Sequence, residues 1–174
     1  MKVPLPALLL LLLACRPLQA GLGESKDQTL ARYGKPVRDA LETSGLLYFE
    51  KDGLCYISHF HKGKCDVLSI FLAKEEFGFP VALSPERIED LLISEGGGKG
   101  WEPLPGTTIN RVWDSPDKNS FAIYDTMRQK LVLMTREAYH REKVARKTAL
   151  EEAAKEAGKT KATSSPLPSP SPGH

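Results

Sequence analysis

Three strand-like apolar runs lie at about 46–51, 54–61 and 64–72, and the breaks between them are Asp52-Gly53 and Lys62-Gly63. A two-residue break with glycine predicts a tight hairpin, because glycine tolerates the positive φ that such turns need. Before these runs, Ser25 is placed to cap a helix over 26–33, which Gly34 and Pro36 stop. The order then recurs. Ser84 caps a second helix with Pro85 at its first position, Gly96-Gly97-Gly98 ends it, and strand-like runs follow at about 107–113, 120–125 and 130–135. The pattern predicts an α+β fold of two units, each a helix plus a three-stranded antiparallel meander, over 25–72 and 84–135.

The rest of the chain reads differently. From Arg136 to Ala157 the residues are mostly Ala, Glu, Lys and Arg, which predicts a long solvated C-terminal helix of about 33 Å. Glu137–Arg141, Glu142–Arg146 and Glu151–Lys155 have the spacing of supporting ion pairs, and the apolar stripe of Tyr139, Val144 and Leu150 is thin. Only the first turns are expected to dock. Residues 158–174, rich in Pro and Ser, cannot bury a core and are expected to be disordered.

At the other end, Met1-Lys2 precedes an apolar run from Val3 to Cys15, which Arg16 and Pro17 cut off. That is too short to span a bilayer, which takes roughly 20 apolar residues, and it matches a secretory signal over 1–20. Two processing sites compete. Ala20 before Gly21 suits release, and Leu12-Leu13-Ala14-Cys15 has the form of a lipobox that would leave Cys15 lipidated and the protein membrane-anchored. The protein is therefore expected to be exported, either periplasmic or secreted, or held as a lipoprotein. The whole chain carries 24 basic and 22 acidic residues, but Lys2 and Arg16 lie in the leader, so 22 basic balance 22 acidic beyond it. A neutral mature chain has no long-range field for nucleic acid or an anionic membrane.

Leu30-Ala31-Arg32-Tyr33-Gly34-Lys35-Pro36, followed by Gly45-Leu46-Leu47-Tyr48-Phe49, resembles the SmpA/OmlA-like outer-membrane-assembly lipoproteins and the related fold of the β-lactamase inhibitor proteins. The resemblance covers 25–72 and extends to 84–135 by pattern. It implies helices leading into three-stranded antiparallel sheets, sometimes in tandem, and binding to other proteins rather than catalysis. It assigns no individual binding residue.

Candidate chemistry is sparse. With Lys62-Gly63 as the loop, an unbroken register puts His61 opposite Lys64, Phe60 opposite Cys65, His59 opposite Asp66 and Ser58 opposite Val67. His59, His61 and Asp66 then share the hairpin tip as a candidate Zn²⁺ or Cu²⁺ site. Lys62 and Lys64 oppose a cation there, and a plain His59–Asp66 cross-strand pair is the simpler expectation. The same register sets Cys55 opposite Ile70, on the other side of the sheet from Cys65, so two free thiols are expected rather than a disulfide. Gly96-Gly97-Gly98-Lys99-Gly100 follows a helix and lacks the Lys-Ser or Lys-Thr ending of a phosphate loop. No Gly-x-Ser-x-Gly, His-Glu-x-x-His or paired Cys-x-x-Cys motif occurs, and no cofactor is implied.

The sheet itself is more informative. The unbroken register assigns Leu47, Phe49, Leu54, Tyr56, Phe60, Val67 and Phe71 to one face, and Leu46, Tyr48, Cys55, Ile57, Leu68 and Ile70 to the other. Both faces want cover, from a helix, the second unit, the C-terminal helix or a partner. Trp101 and Trp113 are expected in the core or as interface anchors. The expected function is a non-catalytic protein-binding or envelope-assembly module; the alternative is a metal-binding or hydrolytic protein centred on His59, His61 and Asp66.

Overall fold

A computed structural model describes residues 21–76, 79–98 and 100–163. The expected leader with Cys15, Lys99 and the chain from 164 onward lie outside the described residues. Helix α1 (Lys26–Tyr33) opens on a capping box in which Ser25 N donates to Gln28 Oε1 at 2.8 Å and Gln28 N to Ser25 Oγ at 3.4 Å. Strand β1 (Arg38–Ala40) and the single turn α2 (Leu41–Ser44) lead into β2 (Leu46–Lys51), β3 (Leu54–His61) and β4 (Lys64–Leu72). Both hairpin loops have two residues at positive φ, 52° and 74° at Asp52-Gly53 and 50° and 76° at Lys62-Gly63. These are the loops that match the strands' right-handed twist.

A small hairpin, β5 (Glu75–Glu76) with β6 (Phe79–Pro80), joins the halves. Helix α3 (Pro85–Glu95) starts on Ser84, whose Oγ accepts from Arg87 N at 3.2 Å, and closes on Gly96. Then come β7 (Glu102–Leu104), β8 (Asn110–Asp114), β9 (Ser120–Asp125), β10 (Lys130–Thr135) and α4 (Arg136–Thr163). The larger sheet has eight antiparallel strands in the order β1-β2-β3-β4-β10-β9-β8-β7. Each half is a helix, a short edge strand and a three-stranded meander. The halves join last strand to last strand, with Ser69 opposite Val132 near the seam. The fold is α+β, as the pattern predicts.

Several details differ from the sequence expectation. The edge strands, α2 and the β5–β6 hairpin are two to four residues long, too short to show a period. The run expected at 107–113 becomes a strand only from Asn110. Thr107 and Asn110 instead form a turn, with Thr107 N on Asn110 O at 3.0 Å and Asn110 N on Thr107 Oγ1 at 3.1 Å. Helix α4 continues six residues beyond the expected end, to Thr163.

The largest correction is one of register. His61 does face Lys64 and Phe60 faces Cys65, but His59 then faces Val67, so Asp66 is an extra residue in a β-bulge. From there every β4 pairing moves by one: Ser58 meets Leu68, Tyr56 meets Ile70 and Cys55 meets Phe71. A one-residue shift exchanges the faces. Leu68 and Ile70 therefore join Leu47, Phe49, Leu54 and Tyr56, while Val67 and Phe71 move to the other side. The core face runs across both halves, through Leu131, Leu133, Ala122 and Tyr124, and both α1 and α3 pack on it through Tyr33, Ile88, Leu91 and Leu92. Trp101 and Trp113 are partly buried against the same core.

The chain divides after Ala138. Within the first unit, Thr135 Oγ1 caps α4 by accepting from Ala138 N at 3.1 Å, and Arg136 N donates to Asn119 O at 2.9 Å. Arg136 also reaches Asp114, and Ala138 is fully buried with Phe121 and Met134. The second unit is the remainder of α4, where Val144 and Leu150 are exposed and Lys147 pairs with Glu151 at 3.8 Å.

Candidate functional site

In an antiparallel sheet, directly opposed residues share a face. The pairings give a row through Tyr48, Ile57, Ser69, Val132, Ile123, Val112 and Leu104, one residue from each of seven adjacent strands. Arg38 on β1 ends the row and lies over the Tyr48 ring, 5.2 Å from its centre. This row is on the face away from α1 and α3. Apart from Ser69, its members from Tyr48 to Leu104 are apolar or aromatic, and every one is partly or fully exposed.

The neighbouring rows set limits on this surface. On one side, Met134 and Phe121 are buried beneath Ala138 at the start of α4, and His59 and Val67 continue that row toward β2. On the other side, Glu50, Cys55, Phe71, Lys130, Asp125 and Asn110 are mainly polar. The result is an apolar stripe across both halves, with a polar margin along one edge. No local feature of the chain shows it. The alternation was legible strand by strand, but the joining of the two halves at β4 and β10 was not.

The hairpin-tip residues are brought only partly together. His59 Nδ1 meets Asp66 Oδ1 at 2.8 Å, although the two are not opposite in the ladder: the bulge swings Asp66 toward His59. A carboxylate accepts and cannot donate, so Nδ1 carries the hydrogen of this bond. Asp66 is buried and His59 is half-exposed. His61 stays at the tip opposite Lys64, and Lys62 pairs with Glu137 at 3.8 Å. Among the described residues no group of three or more His, Cys, Asp or Glu side chains is spaced to hold a metal ion. The arrangement provides a polar cross-strand pair, not a completed ligand set.

Cys55 and Cys65 are free thiols. Cys65 is buried, and its removal from water pushes the thiol up to about 12. Cys55 lies on the open face, and partial burial raises its thiol as well. Of the glycines that end α3, Gly96 has a packing role. A Cβ on Gly96 would stand 2.4 Å from Trp101 Cζ2, so the indole lies directly on that backbone. Among the described residues no helix is long and apolar enough to cross a membrane.

A second polar cluster lies on the core side. Arg32 Nε and Nη2 both donate to Glu24 Oε1, at 2.8 and 2.6 Å, and the Tyr33 hydroxyl donates to Glu95 Oε2 at 2.5 Å. Burial raises both the Glu95 carboxyl and the Tyr33 phenol. Composition gave no signal for this cluster, because its members come from three separate segments.

No family model matches the chain, and no curated protein matches it. Among solved structures, a cysteine-rich secretory protein from Staphylococcus aureus is similar at 9% identity and a TM-score of 0.35, over 67% of this chain. The chain spans less than half the length of that protein, at 45%, and a likeness this distant carries neither fold nor function.

Proposed function

We propose that this protein is a non-catalytic, exported binding module that takes a protein partner on the open face of its eight-stranded sheet. The observation that carries the reading is the apolar row from Tyr48 to Leu104 on the side away from α1 and α3, where Val132 and Ile123 border the buried Phe121, Met134 and Ala138. A sheet face meant only for water alternates to polar residues, and contiguous exposed apolar surface marks interaction sites. The polar residues beside the row match the core-and-rim layout of such sites.

Export rests on the leader-like run from Val3 to Cys15. The resemblance to outer-membrane-assembly lipoproteins supports a partner in a bacterial envelope and binding rather than catalysis. The mature protein is either released by cleavage before Gly21 or anchored through Cys15.

The test is cross-linking of the tagged, natively exported protein, followed by mass spectrometry of what it retains and of its own N-terminus. One specific envelope protein should be recovered. It should be lost with Ile57→Arg or Val112→Arg, since both positions are partly exposed and neither packs against a buried cluster. Equal recovery with those variants, or recovery of the protein alone, would refute the reading.

A further inference from the structure

Gly21 is buried. A Cβ at this position would stand 2.6 Å from Leu68 Cδ2, 3.3 Å from Glu95 O and 3.4 Å from Glu95 Oε2, and φ is +29°. The position is built for glycine. Its nitrogen is two bonds from that Cβ, which puts it within about 6 Å of the Glu95 carboxylate. The segment is also held in place: Leu22 packs on the core, Gly23 N donates to Cys65 O at 2.7 Å, and Cys65 N to Glu24 O at 2.8 Å.

Glu95 closes α3 and is 7% exposed. Tyr33 donates to it, but among the described residues no Lys, Arg or His lies within ion-pair distance. Arg32 is turned to Glu24 Oε1, while Glu24 Oε2 is buried and takes no hydrogen bond. The nearby Lys51 ammonium donates to Arg32 O at 2.8 Å. Two buried carboxylates thus share one guanidinium. The last carbonyls of α3, Glu95 O among them, add partial negative charge at the same place. Buried charges are normally paired, and Glu95, which feels Arg32 and Lys51 only from a distance, has no cation in contact among the described residues.

We propose that the contact cation Glu95 lacks is the chain's own α-ammonium, created when the leader is removed after Ala20 and seated against Glu95. Hydrolysis of the Ala20–Gly21 peptide bond by an endopeptidase consumes one water. Ala20 leaves as a carboxylate, and Gly21 is left with an amine that is mostly protonated at neutral pH, since its ordinary pKa is about 7.7–8.0. The uncut chain has only a neutral amide at this point. The cut chain gains an ion pair that ties the N-terminal segment to the ends of α1 and α3. Processing before Cys15 would leave the amide in place, so the pocket belongs to a released protein. The inference rests on the exported reading above.

The experiment compares melting temperatures at pH 6.5 of the uncut chain, the chain beginning at a free Gly21, and that chain acetylated on the Gly21 nitrogen. Each is made as wild type and as Glu95→Gln. Acetylation is expected to lower the melting temperature by several degrees in the wild type and to change little in Glu95→Gln. An equal drop in both, or none, overturns the pairing. The Gly21 amine can also be titrated by its labelling rate in wild type alone, with Tyr33 and Arg32 on α1, Glu24 before it, Lys51 on β2 and Tyr56 on β3 as the surrounding titratable groups. A value raised above the ordinary range supports the pair, and an ordinary value refutes it. The N-terminus of the exported protein separates the two readings. A start at Gly21 with no acetylation effect refutes the pair alone, whereas a start elsewhere refutes the processing itself.

Discussion

The Tyr33 hydroxyl and Glu95 Oε2 meet at 2.5 Å across 62 residues of sequence, joining the end of the first helix to the end of the second inside the core. Tyr33 is wedged between Phe49 and Tyr56, with ring centres 5.3 and 4.5 Å away, so it cannot turn to follow another acceptor.

Tyr33→Phe should therefore keep the packing but leave a buried carboxylate oxygen without its donor. The expected loss is about 1–3 kcal/mol in urea unfolding at neutral pH. The pH dependence has a definite sign. Burial raises the Glu95 carboxyl above its ordinary 4.5 in the folded chain, so the folded state holds that proton more tightly than the unfolded one. This contribution to stability is present below the ordinary value and is lost as pH rises through the folded value. In the uncut chain, Glu95→Gln should flatten that decline and raise stability at pH 7, as read from urea midpoints at pH 4 and 7.

The bulge at Asp66 makes neighbouring β4 residues unequal. Leu68 is fully buried, whereas Val67 is partly exposed on the open face. Leu68→Ala should cost about 2–5 kcal/mol, and Val67→Ala should cost well under half of that. An unbroken register reverses the order, so the pair of unfolding curves checks the register directly.

Gly96→Ala drives a methyl between Leu92 O, at 2.3 Å, and the Trp101 ring, 2.4 Å from Cζ2. Overpacking of this kind costs about 1–3 kcal/mol. The indole must also move, so the tryptophan emission of the folded protein should shift along with the loss in stability.

The two thiols should separate under alkylation. With Cys65 buried and held as a thiol up to about 12, peptide-mapped labelling at pH 8 should modify Cys55 in the native protein. Cys65 should react only in denaturant. Equal labelling of both in the native state would contradict the burial described here.

The sheet's seam explains how much of the molecule could be read early. Hairpins β2–β3 and β3–β4 depend on contacts a few residues apart, and Asp52-Gly53 and Lys62-Gly63 specify their loops through backbone preference alone. Ser25 and Ser84 likewise announce α1 and α3, because a cap bonds within its own first turn. The Asp66 bulge has no such local signature, since it arises where β4 is paired on its other edge by β10 and by Gly23 and Glu24. The His59–Asp66 pair was legible as a pair, though for a register that the bulge then changed.

By itself, then, the sequence determined the starts of α1, α3 and α4, the tight turns, the meander strands apart from the start of β8, and the α+β class, all through interactions spanning only a few residues. Tertiary structure alone decided which apolar set went under the helices, how the halves meet at Ser69 and Val132, and that Gly21, Glu24, Arg32, Tyr33 and Glu95 come together. Those outcomes depend on contacts between segments tens of residues apart. Each is set by which burial excludes the most water and leaves the fewest buried charges unbalanced, and no short stretch of chain encodes that.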